Sequence, residues 1–316
     1  AVINGQITFG MMISTQFIIG MMNGPIMQFV SFIQSAQYAK ISFMRINEIH
    51  KLEDEDDTSP IISNSLALPK DKSLIVKNLS FRYSPHAPIV LKNINLTIPE
   101  GKVTAIVGDS GCGKSTLLKL LLRMYVPSYG EISIGQMNIN NIGLREWRSK
   151  CGCVMQDGKL FNDTIQNNIV LNEENIDYDA LKRATEVACI NKEIEAMPQG
   201  YQTTIGEMGR GLSGGQRQRL LIARALYKKP DYLFLDEATN ALDTINEQKI
   251  VKALNNVFVN RTVIIIAHRL STIRKADQIV VLKSGSIIET GNHDQLMQNK
   301  QYYYPVSYTH LTLPTT

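Results

Sequence analysis

The sequence predicts an α/β fold: a mainly parallel sheet carrying an inserted helical subdomain, preceded by a transmembrane α-helix. Three observations predict it. Short apolar runs alternate with stretches of helical spacing from residue 73 onward, a glycine-rich loop joins one such run to a helix, and residues 1–39 hold no charged side chain before Lys40. Alternating strand and helix signals imply a parallel sheet with helical crossovers.

The charge-free start sets the first element. A helix needs about 20 apolar residues to cross a bilayer, and residues 7–33 supply them, with glycine and proline at frequencies tolerated in membranes. The stretch is too long for a signal-peptide core and lacks a basic start and a small-residue cleavage site. Residues 34–52 continue it and bring Lys40, Arg45, His50 and Lys51, which mark a cytoplasmic exit. Residues 1–52 are therefore expected to be a last transmembrane helix with its cytoplasmic extension. Because residue 1 is Ala, the chain is expected to begin inside a larger protein. The acidic run Glu53-Asp54-Glu55-Asp56-Asp57 and the Ser, Pro and Asn that follow are read as a linker, residues 53–72.

The next region, 73–304, is expected to be the α/β domain. Residues 103–107 (VTAIV), 232–235 (YLFL) and 263–267 (VIIIA) are short apolar runs bounded by turn or charged residues, as buried parallel strands are. Helical stretches at 114–124 and about 246–257 follow the first two. Between about 157 and 211 the apolar runs fade and helical spacing takes over, for example at 178–188, which reads as the inserted subdomain. Residues 278–282 and 286–289 flank Lys283-Ser284-Gly285 as a hairpin. The last stretch, 305–316 (PVSYTHLTLPTT), resembles the translation of a transposase sequencing adapter and is set aside from the fold.

Composition narrows the function classes. The 316 residues are 44% apolar, enough for one or two real cores, and the net charge of +4 forms no basic stripe of the kind nucleic acid requires. The cysteines Cys112, Cys151, Cys153 and Cys189 suit a reducing cytosol. Cys151 and Cys153 form C-x-C in a strand-like run, are expected on opposite faces, and have no second Cys/His pair at zinc spacing.

The chemistry sits first in Gly108-Asp109-Ser110-Gly111-Cys112-Gly113-Lys114-Ser115, which fits G-x-x-x-x-G-K-[ST] between a strand and a helix. This is a P-loop, and it makes the α/β region a P-loop NTPase core. Its glycines let backbone N–H groups close on phosphate oxygens, and the helix start at Lys114-Ser115-Thr116 adds partial positive charge. Lys114 should reach the β- and γ-phosphates of ATP, and Ser115 should ligate Mg²⁺. Downstream, Leu233-Phe234-Leu235-Asp236-Glu237 is an apolar strand ending in two carboxylates. Asp236 is placed for the Mg²⁺ shell and Glu237 for polarising an attacking water.

A P-loop and an acidic strand end do not separate one NTPase class from another. Leu212-Ser213-Gly214-Gly215-Gln216 does, because it resembles the signature motif of the ATP-binding cassette (ABC) family. Other positions resemble that family in the expected order: Tyr83 the aromatic that stacks on adenine, Gln156 the glutamine that touches Mg²⁺ and water, Asp243 the D-loop aspartate, and His268 the switch histidine at the γ-phosphate. Gly206-Glu207-Met208-Gly209 is similar to an exporter segment that contacts coupling helices, with a departure at its third position. The resemblance implies a head-to-tail dimer in which Ser213, Gly214, Gly215 and Gln216 of a second copy complete each ATP site. It also implies a membrane exporter at a bacterial cytoplasmic membrane, its ATPase in the cytoplasm. Asn47-Glu48-Ile49-His50 and the runs around Gln156 and Arg224 resemble peptidase-containing bacteriocin exporters, which implies a transported peptide. Two other readings stay open: a soluble ATPase with the same cassette, which the charge-free start disfavours, and a regulatory nucleotide-binding module, which Glu237 and His268 disfavour.

Overall fold

The computed structural model describes residues 8–51, 69–171, 175–206, 209, 211–238, 244–266 and 273–309, with side chains outside 244–248, 306 and 308–309. The chain divides into two compact units, residues 1–58 and 59–316.

The first unit is one helix, α1 (Phe9–His50, 42 residues), about 63 Å long at the α-helical rise. The Thr8 hydroxyl caps it by accepting from the Met11 N–H at 3.2 Å, and Pro25 lies inside it. Within the unit no residue of α1 is buried, and Phe17, Met21, Met27, Phe29 and Phe32 are all exposed. The helix is long and apolar enough to cross a membrane, in line with the expected span.

The second unit stacks two sheets and a helical layer. β1 (Leu74–Phe81), β2 (Leu91–Ile98), β4 (Tyr129–Ile134) and β5 (Met137–Asn138) form an antiparallel sheet in the order β2-β1-β4-β5. Along β2, Leu91, Ile94, Leu96 and Ile98 are buried while the polar residues between them face out, the signature of a sheet wet on one side. This antiparallel sheet is separate from the mainly parallel sheet expected from the sequence.

The second sheet holds β3 (Val103–Val107), β6 (Cys151–Val154), β7 (Tyr232–Asp236), β8 (Thr262–Ile266), β9 (Gln278–Lys283) and β10 (Ser286–Gly291) in the order β10-β9-β3-β8-β7-β6. Its strands pair in parallel except for the β9–β10 hairpin, which turns at Ser284-Gly285 as expected. Its central strands are buried on both faces: β7 and β8 are buried at every position and β3 at all but Val103, and most of their residues are apolar. Tyr232 and Phe234 of β7 pack toward the antiparallel sheet, and Leu233 and Leu235 toward the helices.

Cys151 and Cys153 both pack on the Trp147 and Tyr232 side, so the expectation of opposite faces fails. Alternate residues of a strand share a face. Gly152 takes the other side, where a Cβ would lie 2.3 Å from the Ala225 carbonyl oxygen.

α2 (Lys114–Leu121) and α3 (Leu144–Ser149) pack between the sheets, where the Trp147 indole N–H donates to the Leu121 carbonyl at 3.1 Å and closes the end of α2. The helical layer comprises α4 (Ile165–Val170), α5 (Tyr178–Val187), α6 (Asn191–Glu195) and α7 (Gly214–Tyr227), with α8 (Thr244–Phe258) after β7. Thr164 and Asp177 cap α4 and α5 by accepting from Asn167 and Ala180 N–H groups. Arg224 of α7 donates to the Asn168 and Lys159 carbonyls at 2.6 and 2.9 Å, which fixes α4 on α7.

Beyond β10 the helix His293–Asn299 starts on a capping box, Asn292 with Gln295, and ends at Lys300 in the left-handed region. A last helix, Tyr303–Thr309, crosses the expected boundary at Tyr304; Ser307 is buried and donates to the Tyr304 carbonyl at 2.7 Å. Of the expected linker, residues 53–68 lie outside the described residues.

Candidate functional site

In an open parallel sheet the carboxyl ends of the strands form one edge, and ligands bind there. Four of the expected site elements lie on or just past that edge. The P-loop follows β3, Gln156 follows β6, Asp236 ends β7 and Glu237 comes just after it. β8 ends at Ile266, and His268 lies outside the described residues, as do Asp243, Glu207 and Met208.

The P-loop is built by its glycines. Gly108 has φ +149°, and a Cβ there would sit 2.0 Å from the Leu282 carbonyl oxygen. Gly113 caps α2 at φ +106°, where a Cβ would meet Leu91 Cδ2 at 2.7 Å. A side chain at Gly108 would require β9 to move, and one at Gly113 would require the buried Leu91 side chain to shift and would strain a left-handed backbone. Asp109, Ser110 and Gly111 form the exposed rim. Cys112 points inward, 6% exposed in the core under the antiparallel sheet, and burial pushes its thiol pKa up. A small residue fits that pocket, and the buried, protonated thiol is a poor nucleophile.

Lys114 is 7% exposed, and its ammonium donates to the Gly108 and Asp109 carbonyls at 2.9 and 2.8 Å. The Thr116 hydroxyl is 2.9 Å from the Tyr83 hydroxyl. Tyr83 itself is half exposed and stands edge-on to Phe81 and Tyr125, with centroids 5.0 and 5.3 Å away. The loop thus joins an aromatic cluster from the antiparallel sheet, a surface on which a flat heterocycle can stack.

Asp236 is 1% exposed. Burial raises its pKa first of all, and a hydrogen bond from the Ser115 hydroxyl works against that. Its Oδ1 is buried with no hydrogen-bond partner among the described residues. An orphaned carboxylate oxygen beside a hydroxyl is a hard-oxygen donor pair of the kind Mg²⁺ takes, so the residues fit that ion. Gln156 is exposed just beyond β6 and offers a third oxygen on the same edge.

Glu237 follows in the left-handed region at φ +51°, its N–H donating to the Ile266 carbonyl at 3.1 Å. For a non-glycine residue this backbone is unusual and costs about 1 kcal/mol or more. It also turns the chain sharply between two acids that a continuing strand would put on opposite faces.

The signature segment belongs to the helical layer. The Ser213 hydroxyl accepts from the Gln216 N–H at 3.2 Å, and the Gln216 side chain accepts from the Ser213 N–H at 2.8 Å, a complete capping box. Gly214 and Gly215 open the helix, leaving its first N–H groups facing out. Behind them Arg219, 5% exposed, is gripped by both oxygens of Glu193 and donates to the Cys189 carbonyl at 2.8 Å. Leu212 packs on the core under the helices, whereas α2 packs on the core under the antiparallel sheet, so the two anion-binding helix starts stand on different cores.

Sequence reasoning missed three groups. Tyr302 donates from its hydroxyl to Asp109 Oδ2, Lys283 lies over the Tyr302 ring at 4.1 Å, and Glu193 holds Arg219. The Asn292-x-x-Gln295 capping box was the available signal for the helix that delivers Tyr302.

A strand–P-loop–helix unit with a buried acidic strand end and a second capped helix start defines a nucleotide-binding ATPase fold of the cassette type. Residues 91–240 match the ABC transporter family, and the chain carries that family's ATP-binding domain. The chain is 40% identical over 306 residues to "Exotoxin translocation ATP-binding protein PaxB" of Pasteurella aerogenes, covering 96% of this chain and 42% of that one. It is likewise 40% identical over 310 residues to "Leukotoxin translocation ATP-binding protein LktB" of Mannheimia haemolytica, covering 98% and 43%. Among solved structures, a bacterial Atm1-family ABC exporter with ATP bound superposes with a TM-score of 0.79 at 36% identity, over 85% of this chain and 47% of that chain. The chain therefore spans less than half the length of these relatives.

Proposed function

We propose that the chain is the ATP-binding and hydrolysing part of an ABC exporter, coupling Mg-ATP hydrolysis to movement of a polypeptide across a bacterial cytoplasmic membrane. The observation that carries the reading is the Asp236 oxygen left unpartnered among the described residues beside Ser115, with β8 between its strand and the strand that feeds the loop holding Lys114.

In this reading Tyr83 stacks on adenine, and the backbone from Gly108 to Thr116 surrounds the phosphates. Lys114 leaves its carbonyl partners for phosphate oxygens, and Ser115, Asp236 and Gln156 hold Mg²⁺. Bound there, the ion would supply positive charge to offset that of the phosphates. Glu237 takes the proton of the attacking water, and His268 and Lys114 stabilise the charge that develops. The N–H groups of Ser213, Gly214, Gly215 and Gln216 come from a second copy of the chain, with Asp243 at the junction. One chain carries two phosphate-binding helix starts and one acidic strand end, and two-fold pairing uses both. α1 provides the lipid-facing segment, and nucleic acid is not a partner. The relatives' names, which speak of exotoxin and leukotoxin translocation, support a polypeptide cargo.

The test uses the 316-residue chain in detergent micelles with Glu237→Gln. The variant should release phosphate at least about a hundredfold more slowly than the parent while holding ATP and eluting as a dimer in its presence. Full turnover by the variant overturns the role of Glu237; failure of the parent to bind Mg-ATP overturns the whole reading.

A further inference from the structure

The outer side of the P-loop is held by residues that play no part in the reaction above. The β9–β10 turn is one support: the Gly285 N–H donates to the Cys112 carbonyl at 3.1 Å, and the Leu282 carbonyl lies against Gly108. The other comes from the far end of the domain. After the helix His293–Asn299, Lys300 stops the chain at φ +51° and turns it back.

Tyr303 then anchors it. That residue is fully buried, its N–H donates to Glu289 Oε1 at 3.0 Å, and its hydroxyl is 2.8 Å from His293 Nδ1. With Tyr303 fixed, its neighbour Tyr302 lies over the loop. The Tyr302 hydroxyl donates to Asp109 Oδ2, and the Lys283 ammonium sits 4.1 Å from the ring centroid on the hairpin that already braces Cys112. The hydrogen bond to Asp109 raises the Tyr302 phenol to about 12, so it stays a donor at neutral pH.

We infer that Tyr302 is a positioning residue of the ATP site, holding the P-loop in its phosphate-receiving form through Asp109. This rests on the reading of that loop as the ATP site. Asp109 offers its own carbonyl to Lys114, so a restraint on the Asp109 side chain acts on the residue whose backbone also carries the lysine. Tyr302 touches neither Lys114 nor the acidic strand end in the contacts described, so its effect falls on nucleotide binding rather than on the chemical step.

The experiment is ATP binding and turnover by the full chain in detergent, using a fluorescent N-methylanthraniloyl-ATP. Tyr302→Phe keeps the ring under Lys283 and removes the hydroxyl. It should weaken nucleotide binding and raise KM about fivefold, as loss of one ordinary, partly solvated hydrogen bond does, with kcat unchanged. Asp109→Asn keeps an acceptor oxygen and should restore most of the affinity lost in Asp109→Ala. Adding Tyr302→Phe to Asp109→Ala should have no further effect, because the two act through one contact. Equal affinity of parent and Tyr302→Phe overturns the inference and leaves the ATP-site reading standing. So do effects of the two substitutions that simply add, or a loss confined to kcat. A thermal midpoint measured beside each variant separates a misfolded protein from a loosened loop: a loss of affinity that tracks a drop in midpoint also overturns it. A parent that binds no nucleotide overturns both.

Discussion

Asp236 sits at the end of an all-apolar strand, and its charge is hard to keep there. A buried carboxylate oxygen without a partner costs roughly 1–3 kcal/mol in lost solvation. Burial has accordingly raised its pKa, with the Ser115 hydroxyl only partly compensating. Asparagine removes the charge at nearly the same volume. Asp236→Asn should therefore raise the thermal midpoint measured without Mg²⁺ by about 2–4 °C, and should lose the stabilisation that Mg-ATP gives the parent. Thermal scans of both proteins with and without Mg-ATP check this; a lower midpoint for the variant without Mg²⁺ would mean that Asp236 is satisfied within the protein. At the same scale, Gly108 and Gly113 were legible because the P-loop spacing is specific, and the structure supplies the reason for each: the Leu282 carbonyl against Gly108, and the Leu91 side chain with a left-handed φ at Gly113. Asp109 was legible as a loop residue, but its partner lies 193 positions away, and no local spacing carries that information.

At the level of elements, α7 presents the signature segment, and its orientation depends on a buried charge. Arg219 is 5% exposed and is held by the bidentate grip of Glu193 from α6, while the Gln216 side chain donates to the same carboxylate at 3.0 Å. Removing one partner of such a pair leaves the other charge uncompensated. The Glu193 side chain is 41% exposed, so water will reach part of the site, and Glu193→Ala should cost about 2 kcal/mol rather than the full buried-pair value. A lower urea midpoint, together with weaker ATP-dependent pairing, is the expected result; unchanged pairing would show that α6 does not orient the signature helix. The elements were read well where one signal dominated. The charge-free run became α1, the YLFL run became β7, and the Ser213 start became α7. The antiparallel sheet was not separated because β1, β2 and β4 are amphipathic strands whose partners are distant: β1 pairs with both β2 and β4. Strand pairing is a long-range choice that alternation alone does not fix.

For the molecule as a whole, the proposed domain limits (1–52, 53–72, 73–304 and 305–316) have a direct test in the natural gene. Reading it past codon 304 should give residues other than PVSYTHLTLPTT, and reading it upstream should show further membrane helices; a Cys/His protease domain there would support a peptide cargo. Recovery of the same final residues from the natural gene would remove the adapter reading. The sequence by itself determined the nucleotide chemistry, because a P-loop, an acidic strand end and a signature segment are local strings whose spacing carries their mechanism. It also determined the apolar character of α1, since composition over a run of residues is local too. Only the tertiary structure decided that the sheet is buried from both sides, that Asp236 is left with an unpartnered oxygen, and that Tyr302 reaches the loop from the end of the domain. Each of these depends on which distant residues a side chain meets, and that is settled by packing the layers together rather than by any neighbour in the chain.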